Sequence, residues 1–237
     1  MKMTVNKIDR LCDEAEIFES VLSLDNQDIL ELGCGDATLT RAIATTGSGR
    51  SITATEVDSI CHEKNLLIDD LPNVEFSLSG CESIPSGDNH FDTVFMFKSF
   101  HHVPAHQMSA SLQEIKRVLK PGGMAYISEP IFSGDFNEVL RIFHNEEAVR
   151  NSAFNALREA VESEVFSLTD EVFFNTLTSF KNFEEFEERV IGTTHTRHNL
   201  SREQHTRVKN LFNETHAQND GDFIIPIRVD LLQKPMT

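Results

Sequence analysis

Residues 28–40 read DILELGCGDATLT. The apolar residues Ile29, Leu30 and Leu32 feed a turn built on Gly33 and Gly35, and a helix-like run opens at Ala37. Strand, glycine turn and helix in succession bring backbone N–H groups up to a ligand at the start of a helix. The residues of the turn narrow the ligand. A P-loop ends in Gly-Lys-Ser/Thr, because the lysine reaches phosphates and the hydroxyl holds magnesium; no such ending follows Gly35. A dinucleotide turn, GxGxxG, needs a third glycine where Thr38 stands, so NAD is weakly signalled. Glu31, at the end of the strand, would repel a pyrophosphate and suits a cationic ligand.

Outward from this turn, short apolar segments alternate with helical ones. SITATEV (51–57), VEFSLSG (74–80), FDTVFMFKSF (91–100) and MAYISEP (124–130) read as strands. Residues 7–24, ATLTRAIATTG (37–47), SICHEKNLLIDDL (59–71) and AHQMSASLQEIKRVLK (105–120) read as helices. The alternation calls for an α/β fold with a mostly parallel, doubly wound sheet and a ligand beyond the strands' carboxyl ends. After residue 130 the rhythm changes. Residues 135–163 read as one or two long helices, 165–180 as a strand, NFEEFEERVI (182–191) and SREQHTRVKNLFNETHA (201–217) as helices, and DFIIPIRVDLLQK (222–234) as a final strand. One domain over 1–237 is expected: a cofactor-binding core to 130, helical cap insertions over 131–221 with the strand 165–180 among them, and a last strand in 222–237.

Thirty-eight Asp and Glu against 21 Lys and Arg give a formal charge of −17. That balance argues against nucleic acid and against an anionic membrane surface, since both are gripped through Lys and Arg. Eighteen Phe against one Tyr and no Trp suggest apolar pockets with few phenol donors. The four cysteines, at 12, 34, 61 and 81, have no CxxC spacing and signal neither zinc nor a disulfide framework. Residues 1–18 lack the apolar stretch of a secretion signal, and no apolar run approaches the roughly 18 residues of a membrane span. A cytoplasmic protein with a small-molecule substrate is the expectation; the oligomeric state is not legible.

A second carboxylate sharpens the ligand. Glu56 ends the β-branched run, about twenty residues beyond Gly35, the offset of an acid that takes both ribose hydroxyls. Asp58 competes for that role. With ILELGCGDATLT, ITATEVD, ESIPSGDNHFDTVFMFKSFHHVP and LKPGGMAYISEP in this order over roughly residues 28–130, the sequence resembles the class I S-adenosylmethionine-dependent methyltransferases, especially the small-molecule group of the ubiquinone/menaquinone-biosynthesis type. The resemblance implies a Rossmann-like sheet of seven strands with a reversed last strand, S-adenosylmethionine as cofactor and S-adenosylhomocysteine as product. By position it implies that Glu31, Gly33, Cys34, Gly35 and Asp36 wrap the methionine part. It puts Glu56 on the ribose, Val57 against adenine, and Cys81 and Glu82 along the adenine edge. Phe97 and Lys98 come near the methionine carboxylate and the sulfonium. The sequence departs from the pattern at Gly80, where many members carry an Asp for the adenine amino group, at Ala37 in place of a third glycine, and at Lys98.

Methyl transfer from a sulfonium needs alignment more than activation, and a base where the acceptor is a hydroxyl or a protonated amine. His101 and His102 follow the fourth strand and are candidate bases; one of such a pair is often architectural in the resembling family. Glu129 in SEP could bind an amine or orient a histidine. Arg141 and His144, three apart on a helix face, are candidate acceptor contacts. Arg228 in the last strand wants a salt-bridge partner. His195, Arg197 and His198 cluster in what reads as a loop with no evident third ligand, and no metal is expected. Two readings compete with an enzyme of this kind: a non-catalytic module or partner subunit that binds S-adenosylmethionine or S-adenosylhomocysteine, and an NAD-dependent oxidoreductase.

Overall fold

The computed structural model of the chain describes residues 1–192 and 198–236; His195 and Arg197 lie outside the described residues. Its strands are β1 (Asp28–Leu32), β2 (Ser51–Glu56), β3 (Val74–Leu78), β4 (Phe91–Phe97), β5 (Leu119–Pro130), β6 (Ser167–Ser179) and β7 (Asp222–Gln233). They form one seven-stranded sheet in the order β3-β2-β1-β4-β5-β7-β6. Neighbours from β3 to β5 pair in parallel, and β7 runs antiparallel to both β5 and β6. The Rossmann-like α/β architecture and the reversed last strand are as the sequence implied.

β1 is central and covered on both faces, so every residue of DILEL after Asp28 is buried. Its side chains alternate. Leu30 and Leu32 join a core with α4 (Met108–Val118) and α6 (Glu147–Glu162). Ile29 joins the opposite core with α1 (Glu14–Val21) and α2 (Thr38–Thr45). Two-sided covering lets β1 and β4 end in a cleft at their carboxyl edge.

α1 is shorter than the helix read over 7–24. Residues 10–12 are instead extended against β6: Asn175 donates its N–H to the carbonyl of Arg10, and Cys12 donates to the carbonyl of Asn175. The helix starts only after Asp13, whose N–H donates to the Glu16 carboxylate at 3.3 Å. α3 (Ser59–Asn65) also ends earlier than expected, and β5 begins earlier, at Leu119.

Beyond β5 come α5 (Asp135–Leu140), α6, α7 (Phe183–Phe186) and α8 (Arg202–Gln218). α6 packs on the sheet. α5, α7 and α8 instead build a separate aromatic layer with Phe180 and Phe223, at the end of β6 and the start of β7. Phe186 and Phe212 meet there with ring centroids 4.9 Å apart, and Phe212 and Phe223 at 5.2 Å. These phenylalanines fill a helical layer above one end of the sheet rather than a ligand pocket. The helix read over 182–191 widens after Phe186 into a π-type turn, Glu187–Ile191. Arg228 has its partner in Asp230, Nε to Oδ2 at 2.9 Å, both buried, with the guanidinium over the ring of Phe154.

Candidate functional site

The turn after β1 is held from below. The N–H groups of Gly33 and Cys34 both donate to the carbonyl of Thr55, at 2.9 Å each. Gly33 has φ +76°, and a Cβ there would stand 2.9 Å from that of Ser99. Gly35, with φ +55°, would point a Cβ into open space. Only a residue without a side chain suits both positions, one for lack of room and one to keep the approach open. Ala37 takes the left-handed conformation a third glycine would take, φ +61°. Asn65, from the end of α3, donates to the carbonyl of Gly35 at 2.8 Å and braces the turn from the other side.

Two cavities meet at this turn, each of about 600 Å³, and share Gly33, Gly35, Phe97 and Lys98 as walls. One continues past Glu14, Glu31, Cys34, Asp36 and Thr38. The other passes Glu56, Val57, Gly80, Cys81, Glu82, Ser99 and His102. All eleven residues proposed from sequence for the cofactor thus line one continuous groove at the carboxyl edge of β1, β2 and β4.

Glu56 is almost buried and is spent largely on backbone. Oε2 accepts from Gly35 N–H at 2.7 Å, and Oε1 accepts from Val57 and Asp58 N–H at 2.8 and 2.9 Å. The competing acid Asp58 caps α3 by accepting from Ile60 N–H. A Cβ on Gly80 would collide with the carboxylate of Glu82, which therefore occupies the space of the missing side chain.

Glu31 is buried and accepts from the Thr40 hydroxyl at 2.6 Å. Burial pushes its carboxyl up to about 8, against the Thr40 hydrogen bond and with Asp36 and Glu56 adding to the rise. Glu14, beside it, was not legible as a site residue. Burial raises its carboxyl too, opposed first by the Lys98 ammonium 3.9 Å away. Its Oε1 accepts from Tyr126, but among the described residues buried Oε2 has no hydrogen-bond donor. Lys98 itself sits at φ +52°, a strained position for a side chain, with its N–H on the carbonyl of Ser128.

The structure separates the candidates on the acceptor side. His102 lines the cavity. His101 does not: it is buried with Nδ1 2.5 Å from Oε2 of Glu129 and Nε2 3.5 Å from Oε1 of Glu146. Burial alone would lower its pKa, but the carboxylates, Glu129 first, push it up to about 9. An imidazolium with both nitrogens engaged cannot take a proton from an acceptor. Glu129 is absorbed in the same contact and also accepts the N–H of Phe100 at 2.9 Å. Both residues hold the turn after β4.

Arg141 and His144 do not share a helix face, because α5 ends at Leu140 and the chain turns so that Phe143 can enter the aromatic layer. Arg141 lies over the ring of Phe132 and beside Glu138; His144 turns to Glu146, Nε2 to Oε1 at 2.9 Å. Glu146 and Arg150, which join this group, carried no sequence signal, since they belong to a plain amphipathic helix start.

A family model for a methyltransferase domain matches residues 29–123. The tRNA U34 carboxymethyltransferase of Nautilia profundicola is 28% identical over 121 residues, 50% of this chain and 39% of that one. The sterol 4-C-methyltransferase strm-1 of Caenorhabditis elegans is 29% identical over 127 residues, 52% of this chain and 36% of that one. The matched stretch therefore spans about two fifths of these relatives. Among solved structures, the YcgJ protein of Bacillus subtilis superposes with a TM-score of 0.65 at 16% identity, covering 93% of this chain and 96% of that one. The cyclase SpnF superposes with a TM-score of 0.60 at 19% identity, covering 94% and 80%. These two share the fold. Among the described residues no helix is long and apolar enough to cross a membrane. The match over residues 29–123 takes in the glycine turn and strands β2 to β4, and over that stretch the chain is similar to a methyltransferase domain.

Proposed function

We propose that the chain transfers a methyl group from S-adenosylmethionine to a small molecule by in-line displacement. The observation that carries this reading is the meeting of two cavities at Gly33, Gly35, Phe97 and Lys98, with acids suited to a cation on one side and Glu56 on the other. The residues present fit the group. Glu14 offers a buried oxygen without a donor, and Gly35 leaves open the space a side chain would fill.

Glu31 and Glu14 would hold the ammonium end, and the Lys98 ammonium the carboxylate end. Glu56 would take the ribose hydroxyls on the lone pairs its backbone contacts leave, and Val57, Cys81 and Glu82 would flank the adenine. Bound there, S-adenosylmethionine supplies an activated methyl on a good leaving group. The chain's own work is then alignment: Phe97 and the turn after β4 wall the groove and keep water out. His102 is the side chain placed to accept a proton from an acceptor hydroxyl or amine. Four free cysteines, Cys12, Cys34, Cys61 and Cys81, suit a reducing cytoplasm.

Calorimetry tests the reading: S-adenosylhomocysteine should bind the whole chain and should fail to bind Glu56→Ala, while NAD should not bind. NAD binding without S-adenosylhomocysteine binding would overturn it. A second reading, a cofactor-binding module without methyl transfer, has support from the cyclase that shares the fold. Transfer of a labelled methyl group into metabolite extracts favours the enzyme, and transfer into tRNA alone would replace the small molecule with the class of acceptor named for the Nautilia relative.

A further inference from the structure

Where β4 ends and α6 begins, three ligand-bearing side chains converge. His101 Nε2 lies 3.5 Å from Oε1 of Glu146. The ring of His102 lies 4.0 Å from that of His101, and one ligand atom from each of the three falls within 4.8 Å of the others. Two atoms bound to one tetrahedral zinc at about 2.0–2.1 Å stand roughly 3.3 Å apart. The His101–Glu146 pair already has nearly that spacing, and a ring nitrogen of exposed His102 stands within 4.8 Å of both.

The surroundings are those of a ligand set held in place. Glu129 receives Nδ1 of His101 and fixes the ring, and a metal would take Nε2 in place of the proton that this nitrogen turns toward Glu146. Arg150 holds Oε2 of Glu146 at 2.5 Å, so Oε1 faces the imidazoles. His144 shares that Oε1 at 2.9 Å, and an oxygen with two lone pairs can keep that contact and a metal together. The cation of Arg150 is offset by Glu146.

We infer that His101, His102 and Glu146 form a binding site for a divalent transition metal of the zinc class. Two imidazoles and one carboxylate match a three-ligand set that keeps a position open, and imidazole nitrogen selects against magnesium and calcium. Because His102 lines the adenosine-side cavity, the open position borders the groove. There a metal would bind an acceptor's hydroxyl, lower its pKa so that the proton leaves to solvent, and turn the oxygen toward the methyl group, with His102 then serving as ligand in place of base. Metal binding stands on the side chains alone; this role rests on the proposed methyltransferase reading.

The test uses the untagged full chain, stripped with a chelator and dialysed. Cobalt(II) is titrated with visible spectroscopy, and zinc with calorimetry and thermal melting, for wild type, His102→Ala and Glu146→Gln. S-adenosylhomocysteine binding is measured in parallel. One equivalent of cobalt with d–d bands of low coordination number is expected, weakened at least about tenfold in His102→Ala. Zinc should raise the melting temperature of wild type and not of His102→Ala. That variant changes an exposed residue and keeps the test open if Glu146→Gln fails to fold. Absence of the bands, or bands unchanged in His102→Ala, overturns the site. Binding of S-adenosylhomocysteine without cobalt overturns the metal site alone; cobalt without S-adenosylhomocysteine keeps the site and overturns the methyltransferase reading.

Discussion

Oε2 of Glu56 accepts the backbone N–H of Gly35 at 2.7 Å, so this strand-end acid and the glycine turn are one structural unit. A change at either end should therefore disturb both. Glu56→Gln replaces one acceptor oxygen with an amide that faces N–H donors from Gly35, Val57 or Asp58. A lost partner of that kind costs about 1–3 kcal/mol. We expect a lower urea midpoint together with at least about tenfold weaker S-adenosylhomocysteine binding. Unchanged binding beside a lowered midpoint would reduce Glu56 to a brace for the turn.

Glu31 predicts a pH dependence. Its carboxyl rises from 4.5 to about 8 on folding, so between those limits the folded chain holds a proton that the unfolded chain has released. Stability from this group is then lost as pH rises through the window. The fall is on the order of 1.4 kcal/mol for each pH unit crossed, several kcal/mol at most. Urea unfolding across that range should show it, and Glu31→Gln should flatten it. A cation at the site favours the ionised form, so S-adenosylmethionine binding near neutral pH should release a proton. Calorimetry in buffers of different ionisation enthalpy reads that release directly, and a value of zero would take Glu31 out of the ammonium site.

Gly33 and Gly35 should fail in different ways. Gly33→Ala drives a Cβ to 2.9 Å from that of Ser99 in a left-handed backbone, so it should lower stability by about 1–3 kcal/mol. Gly35→Ala meets no atom within 4 Å and carries only the backbone strain, about 1 kcal/mol, but its methyl projects into the groove. Its melting temperature should fall less, and its S-adenosylhomocysteine affinity more, than those of Gly33→Ala. The reverse order would mean that the groove does not pass over Gly35.

The parts of this site that were legible in sequence are the local ones. Ile29 to Leu32, the two glycines and Glu56 declare themselves because strand burial, turn conformation and a strand-end acid are set within a few residues of chain. The parts that were not depend on distant partners. Residues 10–12 have helical spacing but pair with Asn175 on β6, and Glu14 looks like an ordinary first-turn acid until Tyr126 and Lys98 are brought beside it. His101 and His102 are equivalent in sequence. Only Glu129 and Glu146, from β5 and the start of α6, turn one inward and leave the other on the groove.

Glu82 offers the sharpest separation of cofactor binding from folding. Gly80 stands where the resembling family often carries an Asp for the adenine amino group, and the Glu82 carboxylate fills the space a side chain on residue 80 would need. We propose that Glu82 delivers the same acceptor from two residues later. Glu82 is exposed, so Glu82→Ala should leave the urea midpoint within about 0.5 kcal/mol of wild type. It should weaken S-adenosylhomocysteine by about tenfold, the worth of one hydrogen bond to a charged acceptor. Gly80 has no left-handed backbone to strain, so the double variant Gly80→Asp with Glu82→Ala should recover most of the affinity. Purine-riboside analogues, in which hydrogen replaces the amino group, should bind wild type and Glu82→Ala alike. Full affinity in Glu82→Ala, or no recovery in the double variant, would place the adenine edge against other groups, and the backbone N–H groups around Cys81 would be the next to test.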